Sequence, residues 1–398
     1  MHATKILHLK LQQSCPQIHT NRLTALLDVV SGLITGQTLT VTGLGRHSPR
    51  AISMKQGIKQ SDRLIWNHHL YTERAVLYQT VARWLIGDQQ RPILLVDWTD
   101  YTYDRSHLIL RASVPVGGRA LTLYEEVHPG HCYGNAKIEK RFLKTLYAII
   151  PDTCSPIVIT DAGFIGPWFT SVLKLGWHFI GRLPKSLLYR EERQGDWLKC
   201  KDLFGQTTAT PRYVGAVALV RSNPFGCHLY HYRHPCRGRH KMTRYGRKAQ
   251  SKHSKKNAQR ESSPWVLASS LSPDDAAAKQ VIQLYRTRMQ VEEAFRDIKN
   301  QRTGFSLTET RSRSIERLTN LLLVGMLATL VVWLMGRMAE EKQLHYQYQA
   351  NTVRDQRVLS LFYLGCLLVI QGQCIFTQHE YLQAIKLVQQ DMLRQWES

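Results

Sequence analysis

The 398-residue sequence lacks the marks of several protein classes. Its eight cysteines (Cys15, Cys132, Cys154, Cys200, Cys227, Cys236, Cys366 and Cys374) form no CxxC pair and are too sparse for a disulfide scaffold, so reduced thiols in a cytoplasmic protein are expected. The N-terminus, MHATKILHLKLQQSC, has no long apolar core followed by a small-residue cleavage site, which argues against a secretory signal. The most apolar run, Leu321 to Gly336, falls short of the ~20 residues a bilayer needs and is closed by Arg337, so a buried helix and no membrane partner are expected. Acids are scarce as well: 30 Asp+Glu against 53 Lys+Arg leave a net charge of +23. That excess points to a polyanionic partner, nucleic acid first. With 43% hydrophobic residues the chain is not disordered, and it contains no internal repeat.

What is present reads as α/β. Up to about Ile86, short helices are broken by Gly and Pro. Within them Leu39 to Arg46, a tight HSPRA turn and Met54 to Asn67 form a helix-turn-helix candidate, with Lys55, Lys59 and Arg63 spaced four apart on one face. Such a face can meet phosphates and base edges. Three strands follow, RPILLVDWTD ending at Asp97, SHLILRASVPV and RALTLYEEVHP, the last two hinged at Gly117-Gly118. Helix Lys137 to Ile149 precedes a strand ending at Asp161, then helix Trp168 to Leu175 and strand Trp177 to Arg182 continue the alternation.

Beyond Pro184 short strands alternate with polar loops as far as about Trp265. Inside this stretch, Arg233 to Arg260 holds 11 basic residues and no acid, a solvated arm expected to contact nucleic acid through residues such as Arg239, Lys241, Arg244, Arg247 and Lys248. Cys227, His231, Cys236 and His240 can be drawn as a zinc set, but their spacing matches no strong zinc signature. At the C-terminus, Ser314 to Met338, Thr352 to Val369 and Leu382 to Trp396 are expected to be helices.

The chemistry lies in three acids. Asp97 and Asp161 end apolar strands, where α/β sheets place functional groups. Buried carboxylates there are costly unless paired with cations or metal. Glu292 belongs to LYRTRMQVEEAFRDIKN, read as one helix from Leu284 to Asn300, on which Tyr285, Arg288, Glu292 and Lys299 share a stripe that Glu293 leaves. Three carboxylates without an ordered His/Cys set suit Mg2+, with Mn2+ as substitute. Two such ions can activate a water or a 3′ hydroxyl at a phosphodiester. Arg288 and Lys299 would then hold the phosphate and Tyr285 would donate a hydrogen bond to it. The stripe alone also suits a solvated helix face held by pairs such as Arg288 with Glu292.

The segments LVDWTD and VITDAGF, with the spacing Y-x2-R-x3-E-x6-K through Tyr285, Arg288, Glu292 and Lys299, resemble the DDE transposases of the insertion-sequence-four family, particularly that of insertion sequence ten. The resemblance runs over most of the chain. It implies an RNase H-like catalytic core with a β-rich insertion, and cut-and-paste transposition through a hairpin intermediate. It also implies Asp97, Asp161 and Glu292 as catalytic metal ligands, Trp265 as a stacking surface for a flipped base, and a homodimer bound to double-stranded DNA at the transposon ends and the target.

The resulting division is a helical DNA-binding domain over 1–86, a core over 87–184, a β-rich insertion with the basic loop over 185–264, the Glu helix over 265–310 and a helical, dimerising region over 311–398. A non-catalytic DNA-binding protein, or another two-metal nuclease on the same fold, would share much of this pattern.

Overall fold

A computed structural model describes residues 2–191, 195–235, 242–243, 246–252, 254–255, 263–372 and 377–397. In chain order the helices and strands are α1 (His2–Ser14), α2 (Thr20–Gly36), α3 (Val41–Arg46), α4 (Met54–Ile65), α5 (His68–Ile86), β1 (Ile93–Asp100), β2 (His107–Val116), β3 (Arg119–Pro129) and α6 (Ala136–Ile149). Then come β4 (Ile157–Thr160), α7 (Gly166–Lys174), β5 (His178–Arg182), β6 (Leu188–Glu191), β7 (Leu198–Lys199), β8 (Arg212–Leu219), β9 (Phe225–Tyr232) and β10 (Trp265–Ser269). The chain closes with α8 (Ala278–Arg286), α9 (Met289–Lys299), α10 (Ile315–Glu341), α11 (Leu361–Gln371) and α12 (Gln378–Glu397). Two compact units result: residues 1–154 with 289–397, and residues 155–288.

In the first unit β1, β2 and β3 form an antiparallel meander in the order β3-β2-β1. The β2–β3 turn needs Gly117 and Gly118, whose φ values of 55° and 85° lie where side chains are disfavoured. Local caps start the helices: Thr40 accepts from Gly43 N, Ser53 from Gln56 N, Asn67 from Leu70 N and Asn135 from Ile138 N. The hub is α10, which packs against α2, α5, α11, α12 and β3. It is 27 residues long, and its most apolar stretch has a mean hydropathy of 2.1 and is wholly buried. The helix thus outruns the apolar run expected from sequence and would be long enough to cross a membrane, but its apolar surface is spent on the core. Its close crossing with α11 depends on glycine, because a Cβ on Gly365 would run into the Val332 backbone and one on Gly336 into that of Leu361.

In the second unit the strands lie in the order β4-β5-β10-β9-β8-β6-β7, with β4 and β5 parallel and the remaining pairs antiparallel. Helices α7 and α8 pack on this sheet.

Three expectations need correction. The strand expected to end at Asp97 continues to Asp100, because pairing with β2 runs on from Asp97↔Arg111 to Asp100↔Leu108. The single helix expected from Leu284 to Asn300 breaks at Thr287-Arg288: the Thr287 hydroxyl donates to Leu284 O at 2.6 Å and Arg288 N bonds Tyr285 O, a tighter turn than an α-helix makes. In the stretch expected to be helical from Thr352, the helix begins only at Leu361, where Ser360 caps it.

Candidate active site

In the first unit one row of side chains crosses the meander. Asp97 on β1 stands opposite Arg111 on β2, which stands opposite Glu125 on β3. Cross-strand partners project to one face, so this face carries acid, base, acid. Arg111 is 2% exposed and binds Glu125 through Nη2 at 2.6 Å and Nε at 2.8 Å. Burial pushes the Glu125 carboxyl up, and Arg111 pulls it back. Asp97 is 9% exposed. Neither Arg111 nor Glu125 was expected from sequence, yet each is a charge inside an apolar strand run, the signal that could have revealed them.

Helix α9 lies over this row. Phe295 covers the Arg111 guanidinium, 4.4 Å from ring centroid to Cζ. Lys299 Nζ donates to Thr99 Oγ1 at 2.7 Å, and Thr99 follows Asp97 by two residues, on the same strand face. Burial pushes the Lys299 ammonium down to about 8, opposed by the charges of Asp100 and Asp97. The two adjacent acids of α9 separate clearly. Glu293 is engaged by Arg296 at 2.7 Å and lies 3.9 Å from Arg119. Glu292 is exposed on another side of the helix.

In the second unit Asp161 directly follows β4, and its carboxylate accepts from Gly163 N at 2.8 Å. Parallel pairing of Thr160 with Gly181 puts Arg182, the last residue of β5, at the same strand end. Tyr285 is 3% exposed and meets Trp265 edge-on, with ring centroids 4.9 Å apart. Burial pushes its phenol up to about 12, and the charges of Arg288 and Arg182 oppose the shift while Asp161 adds to it. Asp161, Arg182, Tyr285 and Arg288 therefore share one electrostatic neighbourhood. Arg182 is a member that sequence reading missed; its place at a strand terminus was the available clue. Trp265 is half-buried between Tyr285 and Tyr232.

The expected site residues thus fall into two groups. Asp97, Glu292 and Lys299 belong to the first unit, and Asp161, Tyr285, Arg288 and Trp265 to the second. Among the described residues no three His, Cys, Asp or Glu side chains stand together as a preformed metal cluster. The available donors are hard carboxylate oxygens, which fit Mg2+ or Mn2+ in chemistry and would fit zinc poorly.

Of the expected DNA contacts, Lys55, Lys59 and Arg63 are exposed on α4. Arg247 and Lys248 are exposed at a tight turn in which Thr243 N bonds Arg247 O at 2.7 Å and Gly246 takes φ 71°. Arg239, Lys241 and Arg244, like Cys236 and His240, lie outside the described residues. The six described cysteines are all free thiols.

The family profile described as the transposase DDE domain matches residues 88–331. No curated protein matches the chain.

Proposed function

The chain belongs to the transposase DDE-domain family, and from that premise we propose that it is a cut-and-paste transposase of the insertion-sequence-four type, akin to that of insertion sequence ten, with an RNase H-like core. The family implies DNA transposition, DNA binding and a nuclease or strand-transferase activity, typically with divalent metal ions. In our reading the protein works in the cytoplasm as a homodimer on double-stranded DNA, binding the terminal inverted repeats and joining their 3′ ends to target DNA after a hairpin intermediate.

The observation that carries the proposal is the hydrogen bond from Lys299 to Thr99. It docks the helix of Glu292 on the strand of Asp97, which supports reading the two acids as parts of one site. Asp97, Asp161 and Glu292 would hold Mg2+ or Mn2+, which supplies, when bound, Lewis-acid activation of water or of a 3′ hydroxyl. The chain's own cations do the rest: Lys299 and Arg288 hold the phosphate of the strand being cut. Tyr285, beside Arg288, donates a hydrogen bond to that phosphate, and Trp265 offers an aromatic face to an extruded base. Lys55, Lys59, Arg63, Arg247 and Lys248 grip the backbone of the transposon end.

Incubating the protein with Mg2+ and linear DNA carrying the repeats that flank its reading frame tests the proposal. Nicks, hairpins and joined products are expected. End binding without any cut would instead identify a non-catalytic DNA-binding protein, and cutting without joining a different nuclease.

A further inference from the structure

A groove of about 650 Å3 in the first unit includes none of the residues assigned above. That is room enough for a nucleotide-sized ligand. Its walls are the start of α3, Trp66 just beyond α4, the strap 309–314 and the first turn of α10. The strap reads ETRSRS, alternating hydroxyl and guanidinium. In extended chain such alternation sends the two kinds of side chain to opposite sides: Arg311 and Arg313 are exposed, whereas Ser312 and Ser314 are half-buried.

Trp66 is 54% exposed, unusual for so large an apolar side chain. It is also held in place. The Arg317 guanidinium covers its ring at 4.7 Å from the centroid, and Arg317 is itself fixed by Asp62 at 2.7 Å and Ser312 at 3.3 Å. The ring is thus supported by an anchored cation and still presents surface to the groove. Arg311 and Arg313 make no ion pair within 4 Å among the described residues, although the charge of Arg313 reaches Asp104 in the loop after β1. Arg313 thus faces the loop that follows β1, and Trp66 sits just beyond α4.

We propose that this groove binds a DNA strand at one unstacked nucleotide, the base lying on Trp66 and its flanking phosphates on Arg311 and Arg313. Aromatic faces accept any base, and guanidinium forks match phosphate oxygens. Glu309 also lines the groove, and its carboxylate would accept from an exocyclic amine of the base, which a track for phosphates alone would not need. The proposal rests on the DNA-transposase reading only in taking DNA as the polyanion.

The test uses the full chain without divalent ions and a labelled single strand of about 20 mixed-sequence nucleotides, with its duplex as comparison, over a range of salt. Trp66→Ala should weaken single-strand binding by about tenfold or more and leave duplex binding nearly unchanged, with Trp66→Phe restoring most of the loss. The double substitution Arg311→Ala and Arg313→Ala should lower the single-strand salt slope by about 1.4, for two phosphates released. A folded Trp66→Ala protein that binds the single strand like wild type, or loses both DNAs equally, overturns the stacking platform. An unchanged slope overturns the two phosphate contacts. Because no cleavage is read, a failed catalytic assignment would leave these results standing, whereas wild-type protein that binds neither DNA would overturn this proposal together with the DNA-binding reading.

Discussion

Lys299 donates from Nζ to Thr99 Oγ1 at 2.7 Å, fastening the helix that bears Glu292 to the strand that bears Asp97. If that bond aims the ammonium at a phosphate, removing its acceptor should disturb DNA handling without unfolding the protein. Thr99→Val is expected to weaken transposon-end affinity less than Lys299→Ala does, and Thr99→Ser to restore it. Gel-shift titrations check this, and a Thr99→Val protein equal to wild type would free Lys299 from dependence on its neighbour.

The same ammonium sets a pH response. With burial holding its pKa at about 8, Lys299 is charged at pH 7 and loses that charge as pH climbs past 8. Affinity for DNA should fall across that window, and Lys299→Arg, which keeps its charge, should flatten the fall. Stability moves oppositely. The native state gives up this proton at lower pH than the unfolded chain, so unfolding binds protons between about 8 and 10, and the Lys299 contribution to stability rises with pH there. Denaturation midpoints of wild type and Lys299→Met across that range expose the difference.

The adjacent acids of α9 should behave unequally. Glu293→Gln loses surface pairing with Arg296 and Arg119, a change within about 0.5 kcal/mol, and should still cleave DNA ends. Glu292→Gln should bind ends and fail to cut them. Supercoiled-plasmid nicking with Mn2+ separates the two, and the reverse pattern would put the working carboxylate on the other side of the helix.

Beneath the site, Arg111 and Glu125 form a buried pair whose single disruption leaves a lone charge. Arg111→Met should cost about 3–5 kcal/mol, and adding Glu125→Leu should recover much of that loss. Urea unfolding of the two single variants and the double variant measures the coupling. At the α10–α11 crossing, Gly365→Ala puts a methyl group into the Val332 backbone and should lower the melting temperature by several degrees.

Much of the meander was legible in the sequence because its pattern is local: three apolar runs and a Gly117-Gly118 turn specify a hairpin without help from distant residues. The strands that hold Asp97 and lead to Asp161 were visible for the same reason, but Asp97 does not end its strand: β1 runs on to Asp100, its last residues held by pairing to β2 and not by their own composition. The break at Thr287-Arg288 was hidden because helical periodicity continues across it, while the Thr287 hydroxyl and the tightened turn at Arg288 are contacts that spacing does not contain. Arg111, Glu125 and Thr99 went unseen for another reason. Their roles arise from register between strands and from the docking of α9, neither of which one-dimensional spacing contains. The Trp66 groove is similar: its strap and its aromatic lie more than two hundred residues apart in the chain.

If Asp97, Asp161 and Glu292 act on one phosphodiester as proposed, end cleavage in Mg2+ should be lost in Asp97→Asn, Asp161→Asn and Glu292→Gln proteins matched for DNA binding. All three should bind ends as wild type does and yield neither nick nor hairpin. Cleavage at wild-type rate by any one of them would contradict the proposal.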